Sequence, residues 1–117
     1  MTQKDLLDKI TNNSSLTELQ AYNEKVCELR GFSNESIQET MLALLEEIGE
    51  LAKSIRNTAT NMVVDTEKTL KQDSTESEAA DVFCILMTIC SKLNINLHDA
   101  FINKEKKNCE RNWSTER

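Results

Sequence analysis

The chain has no proline and only two glycines among its 117 residues. Sheet-rich folds of this size need many turn residues, so this scarcity argues for helices throughout. Histidine occurs once, as His98, and none of the four cysteines forms a C-x-x-C pair. Together these exclude a zinc finger and a di-iron centre built on Glu-x-x-His. Cys27, Cys84, Cys90 and Cys109 are expected to be buried free thiols, and His98 to lie at the surface or near a helix cap. Positive charge is also short, with 14 Lys and Arg against 20 Asp and Glu. That balance works against a broad footprint on duplex nucleic acid, though not against a small anion held through a metal. No apolar run is long enough to cross a bilayer, and the start Met1-Thr2-Gln3-Lys4-Asp5 is too polar for a secretory signal. The expectation is a cytoplasmic protein with no membrane partner.

What is present is enough apolar residue for one core, 38% of the chain. One domain over 1–117 is therefore expected, and oligomerisation would help so small a helical domain bury its surface. Asp5 to Ile10 reads as one or two helical turns before the break Thr11-Asn12-Asn13-Ser14. Ser15 with Glu18 is a capping-box pair that starts a helix running to about Leu29, and Arg30-Gly31 ends it. Ser33-Asn34 opens a long segment to about Asn57. There Met41, Leu44, Leu45, Ile48, Leu51, Ala52 and Ile55 recur at helical spacing. Thr58 to Ser74 reads as a polar loop, suited to a lid, with a short helix near Asp65 to Lys71. Thr75 to about Leu93 is apolar almost all round, as befits a helix central to a bundle or to a subunit interface. After Asn94-Ile95-Asn96 a last helix begins near Leu97 and carries the basic stretch Lys104 to Arg111. The fold expected is all-α, an antiparallel bundle of about four to five helices.

Two groups of carboxylates stand out. Glu46, Glu47 and Glu50 belong to the long helix, where Glu47 and Glu50 sit one turn apart and can share an ion. Taken alone, they also fit a solvated face. Glu78 and Asp81 fall in the first turns of the apolar helix, where Thr75-x-x-Glu78 also fits a capping box. Glu78 shares its stripe with Ile85 and Ile89, and no lysine or arginine lies there to neutralise it. Carboxylates beside a core need a base or a cation, and an oxygen-only ligand set suits magnesium or manganese.

The ordered pattern Glu46-Glu47-Ile48-Gly49-Glu50, then 27 residues, then Glu78-Ala79-Ala80-Asp81 resembles the MazG-like all-α nucleoside triphosphate pyrophosphohydrolases, whose signature is E-E-x-x-E followed by E-x-x-D. Arg30-Gly31-Phe32 resembles the turn before the first motif of that family, and Lys104-x-x-x-Asn108-x-x-Arg111 its downstream basic series. The resemblance covers roughly residues 20 to 113. It implies magnesium-dependent hydrolysis of a (deoxy)nucleoside triphosphate between the α and β phosphates, with manganese as a substitute and nucleotide-pool control as the role. It further implies Glu47, Glu50, Glu78 and Asp81 as metal ligands and Glu46, with Glu47, as the catalytic carboxylates. Lys53, Lys104, Asn108 and Arg111 are the expected substrate contacts, in a homodimer or homotetramer. Trp113 is open between stacking on a base and a frayed terminus. The alternative from another class is a noncatalytic helical interaction protein whose acidic groups serve solubility and caps.

Overall fold

A computed structural model describes residues 1–115. Among these residues are six α-helices, α1 (Gln3–Leu7), α2 (Leu16–Arg30), α3 (Ile37–Ala59), α4 (Thr66–Leu70), α5 (Thr75–Lys92) and α6 (Leu97–Cys109). No strand occurs among the described residues. The all-α expectation holds, and the helix starts are written in local chemistry. Thr2 with Asp5, and Ser15 with Glu18, form reciprocal capping boxes that satisfy otherwise orphaned N–H groups. Gly31 closes α2 in the left-handed conformation at φ 81°, which glycine adopts without a Cβ penalty.

Two helix caps differ from the sequence expectation, and the first helix spans Gln3–Leu7, not Asp5 to Ile10. The long helix begins at Ile37, not at Ser33-Asn34, because Ser36 makes the reciprocal box. Its hydroxyl accepts from the Glu39 N–H at 3.1 Å, while the Glu39 carboxylate accepts from the Ser36 N–H at 2.9 Å. Phe32–Asn34 instead forms a 3₁₀ turn. The α5 cap is Ser74, whose hydroxyl accepts from the Ser77 N–H, and not a Thr75–Glu78 box. That shift has a functional consequence, since Glu78 is released from capping.

α5 is the centre of the arrangement, packed against α3 along one side and α2 along another. α3 runs antiparallel to it, from Glu39, within the field of Lys92, to Ser54, whose hydroxyl lies 2.5 Å from that of Thr75. α2 also runs antiparallel to α5. Near its start the buried Gln20 donates to Ser91 Oγ and the Ile95 carbonyl and accepts from the Leu97 N–H. This one side chain fixes the α5–α6 turn, where Asn94 takes φ 56° and the chain bends by 94°. His98 lies exposed in the first turn of α6, as expected.

Lys92 ties the 3₁₀ turn to the end of α5. Its ammonium donates to the carbonyls of Phe32 and Ser33 at 3.3 Å and of Glu35 at 2.7 Å. Charge-assisted hydrogen bonds contribute about 1.5–3 kcal/mol when made in protein. Lys92→Met is therefore expected to lower the unfolding midpoint by an amount equivalent to about 2 kcal/mol. A urea titration showing no change would refute the clamp.

The thiols are free, as expected, but their burial is not uniform. Cys90 is buried and Cys27 half-buried, whereas Cys84 and Cys109 are exposed. Cys84 faces a pocket, and Cys109 closes the outlying α6, so neither belongs to the core. α3 departs further from a simple amphipathic helix. Thr40 and Ser54 are its buried residues, with Glu47 midway between them at seven residues from each. Of the apolar residues that recur along it in the sequence, Leu44 and Leu51 are half-buried, whereas Met41, Leu45, Ile48, Ala52 and Ile55 lie exposed. No single helix among the described residues is long and apolar enough to cross a membrane.

Candidate functional site

The seven-residue spacing of Thr40, Glu47 and Ser54 is two helical turns, which holds all three on the side of α3 that meets α5. Glu78 and Asp81 come to the same seam from the first turns of α5. Oxygens of Glu47, Glu78 and Asp81 lie within 4.8 Å of one another. Glu78 is only 5% exposed, Glu47 is half-buried and Asp81 is open to solvent. Burial first, then the charges of Asp81 and Glu78, push the Glu47 carboxyl above its ordinary value. Glu78 is raised likewise by burial, then by Asp73, Asp81 and Glu50, with a hydrogen bond to Glu47 partly opposing this. Crowded carboxylates with raised pKa values are a cost to the fold unless a cation joins them.

The remaining carboxylates are placed less centrally. Glu50 is close enough for its charge to act on both Glu47 and Glu78, and it also faces Lys53 at 3.8 Å. That partly exposed pair is worth little by itself. Glu46 is exposed beside Glu47 on α3. Asp73, just ahead of the Ser74 cap, presses on Glu78 although nothing in its sequence context marks it.

A divalent ion fits this donor set. The ligands are oxygen only, they converge from two helices, and no ammonium or guanidinium is hydrogen-bonded to Glu47, Glu78 or Asp81 among the described residues. Hard cations such as magnesium or manganese match these features.

Glu47 and Asp81 also form one end of an open-sided cavity of about 530 Å³ lined by residues of α2, α3, α5 and the 3₁₀ turn. Its other walls include Tyr22, Asn23, Arg30 and Thr88, none marked as a substrate contact by the sequence. Arg30 alone carried a signal there, through Arg30-Gly31-Phe32. Lys53 does not line this cavity, and neither do Lys104, Asn108 and Arg111. Lys104 and Asn108 lie along α6, which packs on α2 and leaves the far end of α5, and Arg111 follows two residues past the end of that helix. At its close Trp113 donates its indole N–H to the Asn108 carbonyl and lies 6.0 Å from the Arg111 guanidinium carbon. Trp113 is thus fastened to α6, though largely exposed.

The segment between α4 and α5 is tied to α3 outside the cavity. Gln72 donates to the Glu50 carbonyl at 3.0 Å and accepts from Asn57 at 2.6 Å. Gln72 thereby holds the segment after α4 against the Glu50 turn of α3.

Comparison with known proteins follows the same lines. None of the curated proteins matches the chain. The crystal structure of YPJD from Bacillus subtilis, classed as a candidate pyrophosphatase, superposes with a TM-score of 0.70 at 24% identity. The match covers 87% of this chain and 100% of that one, and shares the fold. The model of the MazG nucleotide pyrophosphohydrolase domain matches residues 35–113, a span that holds every carboxylate of the candidate site. The chain belongs to the MazG nucleotide pyrophosphohydrolase domain family.

Proposed function

We propose that the protein is a divalent-metal-dependent nucleoside triphosphate pyrophosphohydrolase, cleaving the α,β-phosphoanhydride to a nucleoside monophosphate and pyrophosphate. The observation that carries this is the convergence of Glu47, Glu78 and Asp81 at the end of a cavity with room for a nucleoside. Glu47, Glu78 and Asp81 would hold magnesium, or manganese in its place, with Glu50 adding a fourth carboxylate from the next turn of α3. Bound there, the ion supplies neutralisation of phosphate charge and activation of water.

The chain's own residues supply orientation and proton acceptance. Glu46 projects from the exposed flank of the cluster and is the proposed group that orients the attacking water and takes its proton, with Glu47 sharing that duty. Lys53 offers a cation at the rim. Lys104, Asn108 and Arg111 offer donors to phosphate or base, and their distance from the cavity suggests that a second copy delivers them. A homodimer or homotetramer is accordingly proposed, each chain one catalytic domain acting on deoxynucleotides in the cytoplasm. Neither duplex nucleic acid nor a membrane has a part in this scheme.

A noncatalytic interaction protein, the alternative, would leave its acidic residues solvated. Here they meet across two helices with two of them raised in pKa. The deciding experiment offers the purified protein a panel of ribo- and deoxynucleoside triphosphates with magnesium. Monophosphate and pyrophosphate in equal amounts, abolished by EDTA and restored by magnesium or manganese, are expected. Diphosphate with phosphate, or no product from any substrate, would overturn the proposal.

A further inference from the structure

Opposite its carboxylate end, the cavity finishes on a polar side chain that the reaction itself does not require. Asn23, on α2, is only 6% exposed and lines the cavity with Thr88 of α5. Its amide nitrogen donates to Thr88 Oγ1 at 2.8 Å and makes a weaker contact with Cys27 Sγ at 3.9 Å. The Thr88 hydroxyl has one proton, and that proton goes to the Cys84 carbonyl at 2.9 Å. Thr88 can therefore only accept from Asn23, which fixes which way the amide points. Cys27 Sγ, 3.4 Å from Thr88 Oγ1, then acts as a further donor to the same oxygen.

The consequence falls on the other half of the amide. Among the described residues Asn23 Oδ1 makes no hydrogen bond, and it keeps some solvent access on a residue that lines the cavity. Residues 81 and 88 are seven apart on α5, which places Thr88 about 10 Å along the axis from Asp81. That span is comparable with the reach of a nucleotide from its α-phosphate to the pairing edge of its base.

We propose that Asn23 reads the base, its Oδ1 accepting from an amino group at the position farthest from the sugar, and that Thr88 holds the amide in that orientation. This rests on the nucleotide reading of the carboxylate site. A lone acceptor at that depth attracts the 4-amino group of cytosine or the 6-amino group of adenine. It faces oxygen against oxygen when the base is uracil or hypoxanthine. The site thus discriminates amino bases from their deaminated counterparts. Asn23 is the contact and Thr88 a positioning residue.

Binding of the product monophosphates tests this without requiring turnover. Calorimetric titration of the full chain with dCMP, dUMP, dAMP and dIMP is expected to favour the amino member of each pair by about tenfold, the scale of one buried hydrogen bond gained or lost. Asn23→Leu should bring both ratios close to one by weakening the amino nucleotides. Thr88→Val should also lower them, by freeing the amide to turn its nitrogen toward a keto oxygen, a change that a purely structural role would not confine to base choice. Equal affinities in the unmodified protein, no binding by any of the four, or ratios that survive in both folded variants would overturn the proposal. Pyrophosphate release is scored separately: turnover without base preference defeats only the base reading, and base preference without turnover defeats only the enzyme reading.

Discussion

Glu78→Gln is expected to lower the rate of pyrophosphate release by about 10²–10³-fold, the loss typical of removing one preorganised electrostatic group. The same change is expected to raise the melting temperature of the metal-free protein. Glu78 sits in the seam between α3 and α5 with Glu47 and Asp81 within 4.8 Å, so neutralising it relieves repulsion that only a cation otherwise offsets. The paired outcome separates a metal site from a structural one, because a purely structural role would lose stability and activity together. Scanning calorimetry in EDTA and in excess manganese checks it: the unmodified protein should gain more from manganese than the variant does. A variant that is fully active, or less stable without metal, would defeat the assignment.

The pH dependence follows from the same shifts. Glu47 and Glu78 have folded-state values above their unfolded ones, so the native protein takes up protons first as pH falls. Metal-free stability should therefore rise as pH drops through the raised values, and level off below the unfolded carboxylate value. Asp5 and Glu39 act oppositely. Each is lowered chiefly by a backbone hydrogen bond at its capping box, and its contribution fades only at more acid pH. Added metal should erase the rise, since protons and cations compete for the same oxygens.

The helices were legible where caps declare them. Ser15 with Glu18, Gly31 and the Leu97 start each rest on local hydrogen bonding that the sequence spells out. The errors came where two candidate caps competed. Ser36 prevailed over Ser33 because Glu39 stands three residues on, and Ser74 displaced Thr75 because its hydroxyl reaches the Ser77 N–H. Within the site, Glu47, Glu78 and Asp81 could be named from motif and stripe, since both helices are regular and the residues lie near their facing sides. Asn23 and Thr88 could not. Their importance depends on how α2 crosses α5 and on where a single hydroxyl proton goes, and neither is a property of spacing along the chain. The apolar stripe of α3 was visible as a period, but its destination was not. Periodicity identifies a face without saying whether the chain's own core or another surface covers it.

Ile48→Glu is expected to convert the assembly to monomers at concentrations where the unmodified protein is dimeric or larger. Met41, Leu45, Ile48 and Ile55 are each at least 41% exposed, although they form one stripe of a 23-residue helix. The radius of gyration is 17.5 Å, against about 13 Å for a compact domain of this length. A stripe left open on so extended a protomer matches a self-complementary interface, because the same face of a second copy offers the same residues across a two-fold axis. An unpaired charge in the middle of that interface costs several kcal/mol, enough to weaken association by about 100-fold or more. Light scattering should show the change, while Glu67→Lys on the exposed α4 should leave assembly intact. Activity then becomes informative about geometry. If Lys104, Asn108 and Arg111 serve the partner's cavity, Glu78→Gln and Arg111→Ala protomers, each inactive alone, should recover up to about a quarter of the activity when mixed, since half of the sites in each mixed dimer are then intact. Absence of recovery in a verified mixed dimer would place Arg111 outside the shared site. Recovery would show that the exposed stripe of α3 and the basic face of α6 serve one purpose, bringing two chains together to complete each active site.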